Sequence, residues 1–100
     1  MKVSLIATVK DGGGAIAEFL ASVRAQTRSP DEVVIVDGGS TDGTLETLRE
    51  AADVTLIESP GANIAEGRNL AVRAATHDLI AVSDADCTLA PDWLEQLVAA

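Results

Sequence analysis

Two aspartates separated by one alanine follow an apolar run in the stretch LIAVSDADC, residues 79–87. In an extended chain residues i and i+2 point the same way, about 6 to 7 Å apart, so Asp84 and Asp86 would share one face. At an effective dielectric of about 20 their charges repel each other by about 2 to 3 kcal/mol. A Mg²⁺ or Mn²⁺ ion would convert that repulsion into attraction while keeping coordination positions for substrate phosphates. Ala85 leaves room for a diphosphate; the alternative interpretation is a solvated turn.

A third acidic residue, Asp37, ends the apolar run VVIV of the stretch VVIVDGGSTDGT. A carboxylate at such a place is costly unless a ligand or a hydrogen-bond partner satisfies it. The two glycines that follow allow close backbone approach, and Ser40, Thr41 and Asp42 are competing N-cap candidates for the next helix. We interpret Asp42 and Thr44 as turn and capping residues without a functional role.

Further along the chain, the stretch GRNLA places Arg68 inside a helical pattern. In this acidic chain Arg68 is a candidate contact for nucleotide oxygens, although an ordinary solvent-facing side chain is the alternative. We interpret His77 as a loop residue, Trp93 as a core residue and Cys87 as a small buried filler, since no basic residue lies near this thiol in sequence.

Strand-like and helical stretches alternate along the whole chain. Apolar and β-branched runs predict strands within 2–9, 31–39, 53–59 and 77–84, and apolar residues at helical spacing predict helices within 14–26, 40–52, 60–76 and 90–100. Short connections between them predict right-handed crossovers and a three-layer α/β/α fold with a mostly parallel, Rossmann-like sheet. Ligands of such sheets bind beyond the carboxyl ends of the strands, where Lys10, Asp11, Asp37, Asp84 and Asp86 fall.

Composition narrows the function classes. With 47 % hydrophobic residues, residues 1–100 are predicted to form one domain. The net charge of −9 argues against nucleic acid as a partner and against contact with an anionic membrane. The single cysteine excludes an intrachain disulfide and favours a reducing compartment. Because the last predicted helix lacks a glycine cap and a basic final turn, we expect a larger domain whose open sheet edge would favour self-association.

Four motifs in this order resemble the N-terminal half of family 2 glycosyltransferases, which are inverting enzymes with the GT-A fold. They are SLIATVKDG, VVIVDGGSTDGT, GRNLA and DLIAVSDADCTLAPDWLEQLV, and together they span essentially the whole chain. The resemblance implies nucleotide-binding roles for one set of residues: Thr8, Val9, Asp11, Asp37, Arg68, Asp84 and Ala85. It implies that Asp84 meets the ribose and that Asp86 meets the metal, Mg²⁺ or Mn²⁺.

The implied reaction is metal-dependent transfer, with inversion, from a nucleotide-diphosphate sugar to an acceptor that the sequence leaves open. A UDP-sugar is the favoured donor. Because Gly38 replaces the second aspartate of the family's strand-two motif, the resemblance does not determine the identity of the nucleotide base. The resemblance places the catalytic base beyond residue 100. It also implies a cytoplasmic location, or membrane association through a C-terminal region.

Other functions remain open at this point. The run Gly12-Gly13-Gly14-Ala15-Ile16-Ala17 fits the G-x-G-x-x-A fingerprint of a dinucleotide-binding oxidoreductase. A phosphoacceptor signalling domain also clusters acidic residues at strand ends, but its acceptor would follow strand three, which here ends in Glu58. A nucleotide-binding fragment without activity of its own is the third alternative.

Overall fold

The computed structural model describes residues 2–99, in which four strands alternate with four helices. In chain order these are β1 (Val3–Val9), α1 (Ala15–Arg24), β2 (Glu32–Asp37), α2 (Thr44–Glu50), β3 (Thr55–Glu58), α3 (Ile64–Ala74), β4 (Leu79–Asp84) and α4 (Trp93–Ala99). The predicted alternation of strands and helices is confirmed.

The four strands form one sheet in the order β3-β2-β1-β4, and every pairing among the described residues is parallel. Thr8 is in register with Val36 on one side and with Asp84 on the other, so the carboxyl ends of β1, β2 and β4 lie level. Within residues 2–99, β4 pairs only with β1 and β3 pairs only with β2, so these two strands form the edges of the sheet.

Helices cover both faces of the sheet, which confirms the three-layer α/β/α arrangement. One core packs α1, α2 and α4 onto the alternate residues Val3, Leu5, Ala7 and Val9 of β1, with Phe19 fully buried at its centre. The other core packs α3 against Ile6, Val34 and Val36. The side chains of one strand alternate between the two faces, so both cores draw on the same central strands.

A glycine allows α3 to lie close to the sheet. A Cβ on Gly67 would lie 2.9 Å from Thr8 Cγ2, which is too close for a side chain without local movement, and 3.6 Å from Val36 Cγ1, which is an ordinary contact. The helix begins just before this contact with a capping box, in which the Asn63 side chain accepts from the Glu66 N–H and Glu66 accepts from the Asn63 N–H. The start of α3 is therefore fixed over the ends of β1 and β2.

The start of α2 differs from the prediction. The helix begins at Thr44 with Gly43 as its N-cap, so none of Ser40, Thr41 and Asp42 takes that place. Ser40 and Asp42 instead form hydrogen bonds that connect loops at the carboxyl end of the sheet, described below.

The helices are short. The longest within residues 2–99 is α3, with 11 residues, and no helix in that range is long and apolar enough to cross a membrane.

Candidate functional site

A cleft of about 460 Å³ opens at the carboxyl ends of β1, β2 and β4, beside the start of α3. Six of the eight residues predicted for the site line it: Thr8, Val9, Asp11, Asp84, Ala85 and Asp86. Asp37 and Arg68 lie beside the cleft and are not part of its lining. The structure therefore brings most of the sequence-predicted site together at the edge where parallel sheets bind ligands.

Asp84, the last residue of β4, and Asp86 line this cleft, and their carboxylates have no hydrogen-bond partners within residues 2–99. Within residues 2–99 no hydrogen bond or ion pair reaches the Asp86 carboxylate, and the Asp84 side chain is 74 % exposed. The nearest cation to Asp84 is Arg68, whose Nη2 lies 3.8 Å from Asp84 Oδ1. Ala85 between them is buried, which anchors the turn, and the aspartates on either side of it line the cleft.

The exposure of Cys87 in this turn differs from the prediction. Cys87 is exposed, whereas we expected a buried filler. Its Sγ lies 3.2 Å from the carbonyl oxygen of Asp84, to which it donates, and the Ser83 hydroxyl donates to the same oxygen at 3.0 Å. The thiol therefore braces the turn at the surface instead of filling the core.

The acidic pair fits a hard cation that a substrate helps to coordinate. Among residues 2–99 no group of three or more His, Cys, Asp or Glu side chains could hold a metal ion. Mg²⁺ and Mn²⁺ are often bound by one or two carboxylates together with substrate phosphates, and carboxylate oxygens suit both ions. The two carboxylates of Asp84 and Asp86 match that number of protein ligands.

Asp11 connects two loops at the mouth of the cleft. Its backbone N–H donates to Ser40 Oγ at 2.8 Å, and its Oδ1 accepts from the Thr41 N–H at 2.7 Å. The residue adopts a left-handed backbone conformation with φ of 54°, which aspartate tolerates better than most residues. The loop after β1 is thereby held against the loop after β2.

Asp37 is buried, and both of its carboxylate oxygens accept hydrogen bonds from the loop that follows it. Its Oδ1 accepts from the N–H groups of Gly39 and Ser40 at 2.8 Å each, and its Oδ2 accepts from the Ser40 hydroxyl at 2.7 Å. The residue is 1 % exposed. The partner that this buried carboxylate required is therefore the β2–α2 loop itself.

Asp42 forms a second connection between the same two loops. Its Oδ1 accepts from the Thr44 hydroxyl at 2.6 Å, and its Oδ2 accepts from the Gly13 N–H at 2.9 Å. The Thr44 hydroxyl, followed by backbone N–H groups including that of Gly13, holds the pKa of Asp42 below its ordinary value. Because the Gly13 N–H is engaged here, it is not free for a pyrophosphate, which argues against the dinucleotide fingerprint.

Several cleft residues were not among the sequence-predicted site. They are Lys10 and Gly12 after β1, Val36 and Gly38 at the end of β2, and Ala62, Asn63, Ile64 and Gly67 at the start of α3. The capping pattern Asn63-x-x-Glu66 was the signal that could have placed the start of α3, and hence its first residues, at the cleft. No local signal pointed to Ala62 or Ile64.

Solved structures share this architecture. The mannosyltransferase PcManGT from Pyrobaculum calidifontis, solved with GDP-Man and Mn²⁺, superposes with a TM-score of 0.87 at 33 % identity over 97 % of this chain and 31 % of that one. TarS of S. aureus, solved with UDP-GlcNAc, superposes with a TM-score of 0.82 at 28 % identity over 99 % of this chain and 30 % of its own.

Sequence comparison agrees with the structural likeness. Glycosyltransferase AglE of Haloferax volcanii is 33 % identical over 94 % of this chain and 33 % of its own length. The chain thus spans about a third of the curated relatives it matches. The sequence model for glycosyl transferase family 2 matches residues 4–100. Together with the parallel sheet and the cleft at its carboxyl edge, this match shows that the chain belongs to glycosyl transferase family 2.

Proposed function

We propose that this chain is the donor-binding part of a glycosyltransferase and that its cleft holds a nucleoside diphosphate sugar together with Mg²⁺ or Mn²⁺. The observation that carries the proposal is the pair Asp84 and Asp86, whose carboxylates have no hydrogen-bond partner within residues 2–99. PcManGT with GDP-Man and Mn²⁺ and TarS with UDP-GlcNAc are relatives of the same fold with such donors bound, which supports this class of ligand.

In this proposal the residues divide into those that touch the donor and those that hold the loops. Asp86 binds the metal, Asp84 binds the ribose, and Ala85 between them leaves room for the diphosphate. Thr8 and Val9 line the nucleotide side of the cleft, and Arg68 on α3 approaches the nucleotide from beside Asp84. Asp11 and Asp37 act mainly through the loops that they fix.

The loop connections keep the cleft in a binding-ready shape. Two carboxylates bridge loops that are about 30 residues apart in sequence, through the bonds from Thr41 N–H to Asp11 and from Gly13 N–H to Asp42. Preorganised contacts of this kind reduce the entropy that ligand binding must otherwise remove. The end of β1 and the loop that follows it therefore present Thr8, Val9 and Asp11 together.

In this proposal, sugar transfer depends on stabilisation of the negative charge on the diphosphate leaving group. When bound, the metal supplies positive charge that stabilises the diphosphate as it leaves the sugar. Asp84 and Asp86 supply the negative charge that retains such an ion, and the Arg68 guanidinium adds a cation near the leaving group. Inversion at the anomeric carbon requires a base at the acceptor hydroxyl, and we assign that role to no residue of the cleft.

Calorimetric titration tests the proposal. UDP and GDP are titrated into the chain with and without Mn²⁺, in the wild type, in Asp86→Ala and in Asp78→Ala. Asp78 precedes β4 and Asp86 follows it, so the control removes an exposed aspartate from the opposite end of the same strand.

We expect binding of at least one nucleotide that requires Mn²⁺ and that Asp86→Ala weakens on the order of 10- to 100-fold, as loss of a charged contact does. Asp78→Ala should bind like the wild type. Nucleotide binding of equal affinity with and without Mn²⁺ would contradict the proposal. Equal affinity of Asp86→Ala and Asp78→Ala for the nucleotide would contradict it as well.

A further inference from the structure

Arg68 is the basic residue that contacts the acidic pair within residues 2–99. Its Nη2 lies 3.8 Å from Asp84 Oδ1, and it forms no hydrogen bond with any described residue. The Arg68 side chain is 49 % exposed and that of Asp84 is 74 % exposed. The contact is therefore a loose attraction between charges, and an exposed ion pair of this kind is weak enough to exchange for another partner.

The backbone of Arg68 has a fixed position beside the pair, although its guanidinium does not. The residue follows Gly67, the glycine through which α3 lies against Thr8 near the end of β1. Thr8 is in register with Asp84 on β4. The helix therefore holds the origin of the arginine side chain in place, while the rotatable bonds of that side chain let the guanidinium reach different partners.

The guanidinium and a divalent cation are attracted by the same negative charge. A Mg²⁺ or Mn²⁺ ion at Asp84 and Asp86 is attracted by two carboxylates and repelled by the positive charge of Arg68. A nucleoside diphosphate changes this balance, because its phosphate oxygens attract both the metal ion and the guanidinium. The same arginine therefore opposes the metal in the free chain and ceases to oppose it once a diphosphate is present.

We infer that Arg68 is a positioning residue that couples metal binding to nucleotide binding. In the free chain it offsets the charge of Asp84 and keeps the affinity of the acidic pair for a metal ion low. When the nucleotide binds, the guanidinium turns to the phosphate oxygens, which leaves Asp84 to the ribose and Asp86 to the metal. The inference rests on the proposed function and adds a role for Arg68 in the absence of the donor.

The competing role for Arg68 is a contact with the nucleotide and nothing more. Loss of such a contact weakens the nucleotide and leaves the affinity of the free chain for a metal ion unchanged. Coupling predicts effects of opposite sign, since removal of the arginine strengthens binding of the metal alone and weakens binding of the nucleotide. Because coupling free energies are reciprocal, the gain in nucleotide affinity that the metal provides should also shrink.

The first measurement follows Mn²⁺ binding without nucleotide, through paramagnetic broadening of the Asp84, Ala85 and Asp86 amide signals. It compares the wild type, Arg68→Gln and Arg73→Gln. Arg73 lies further along the same helix, lines a different groove and forms no ion pair with a described residue. We expect Arg68→Gln to bind Mn²⁺ about three- to tenfold more tightly, the effect of a unit charge about 7 Å from a divalent ion in water. Arg73→Gln should match the wild type.

A conservative variant separates the charge of Arg68 from the shape of its side chain. Arg68→Lys keeps one positive charge at the same point of α3 and should bind Mn²⁺ alone with nearly the affinity of the wild type. Arg68→Met keeps an unbranched stem without the charge and should behave as Arg68→Gln does. Circular dichroism and urea unfolding confirm that each variant is folded.

The second measurement is calorimetric titration of UDP and GDP with and without Mn²⁺. We expect Arg68→Gln to weaken the tighter-binding nucleotide in the presence of Mn²⁺ by about tenfold, the effect of one hydrogen bond to a charged group. The ratio of nucleotide affinities with and without Mn²⁺ should be smaller in Arg68→Gln than in the wild type. Arg73→Gln should keep the ratio of the wild type.

The outcomes separate the inference from the proposed function. If Arg68→Gln binds Mn²⁺ alone no more tightly than the wild type, or if Arg68→Lys or Arg73→Gln gains as much as Arg68→Gln, the coupling role is wrong and the metal-nucleotide site stands. An unchanged nucleotide affinity in Arg68→Gln overturns the coupling role as well. If the folded wild type binds neither UDP nor GDP in the presence of Mn²⁺, the proposed function itself fails, and this inference fails with it.

Discussion

The acidic pair at the carboxyl end of the parallel sheet differs from the carboxylates at its amino end. At the amino end, Glu32 Oε1 accepts from the hydroxyl of Ser4 at 2.7 Å and from the N–H of Thr76 at 2.8 Å. At the carboxyl end, Asp84 has only a 3.8 Å contact with the Arg68 guanidinium, and Asp86 has no partner within residues 2–99.

The pKa values at the amino end reflect these bonds. The Ser4 hydroxyl and then the Thr76 N–H hold the pKa of Glu32 below its ordinary value. The Val3 N–H and then Arg28 do the same for the pKa of Asp31. Carboxylates at the amino end therefore stabilise the fold by joining strands, whereas the acidic pair at the carboxyl end forms no such bonds within residues 2–99.

The largest effect that we predict on stability concerns packing at the carboxyl end. Gly67→Val drives a side chain into Thr8 and Val36, and overpacking of this kind costs about 2 to 3 kcal/mol of unfolding free energy. Urea unfolding measures this cost. The control Gly14→Ala has no atom within 4 Å of the added Cβ and should change stability by less than about 1 kcal/mol. Equal stability of the two variants would contradict the close approach of α3 to β1.

The next effect tests whether carboxylates at the amino end are structural. Glu32→Ala leaves the fully buried Ser4 hydroxyl without its acceptor, which costs about 1 to 2 kcal/mol. Glu50→Ala, which removes an exposed glutamate at the end of α2, should change little. Chemical denaturation compares the two variants, and an unaltered midpoint for Glu32→Ala would break the contrast between the two ends.

Acid should weaken the amino end in a defined pH window. Because the pKa of Glu32 is lowered in the folded state, its contribution is present above the ordinary value of 4.5 and is lost as pH falls through the folded pKa. We expect the stability of the wild type to fall between about pH 5 and about pH 3, and the fall to be shallower in Glu32→Gln. Urea midpoints across this range measure it; parallel curves for the two proteins would show that Glu32 is not a source of the acid sensitivity.

The smallest stability effect belongs to the proposed metal site. Asp84→Asn and Asp86→Asn remove no hydrogen bond found within residues 2–99, so each should alter stability by no more than about 0.5 kcal/mol. Each also relieves repulsion within the pair. A loss above about 1 kcal/mol in the urea midpoint analysis would mean that these carboxylates are structural, as Glu32 is.

Local sequence patterns predicted the elements because their apolar residues recur with the period of a strand or a helix. Val3, Leu5, Ala7 and Val9 alternate along β1 as a buried strand requires. The acidic pair was also predictable, because a strand end fixes where both residues emerge. The family resemblance supplied the remaining site residues.

Features that depend on partners distant in sequence were not predictable. We predicted a capping role for Asp42 because it lies just before a helix and next to hydroxyl residues. In the structure its Oδ2 accepts from the Gly13 N–H, 29 residues away in sequence. Cys87 looked buried because thiols usually are, and only the folded turn shows its contact with the Asp84 carbonyl. The close approach of the Ala62 carbonyl to Gly38 also joins two segments that β3 separates in sequence.

Paramagnetic broadening of amide signals tests whether the acidic pair at the carboxyl end of the sheet holds a metal-bound nucleotide. Mn²⁺ is added to the isotope-labelled chain with and without UDP or GDP, with Mg²⁺ as the diamagnetic control. We expect Mn²⁺ with the nucleotide to broaden the amide signals of Asp84, Ala85 and Asp86 first and to leave those of Asp31 and Glu32 sharp. Broadening that is equal at both ends of the sheet, or strongest at the amino end, would contradict it.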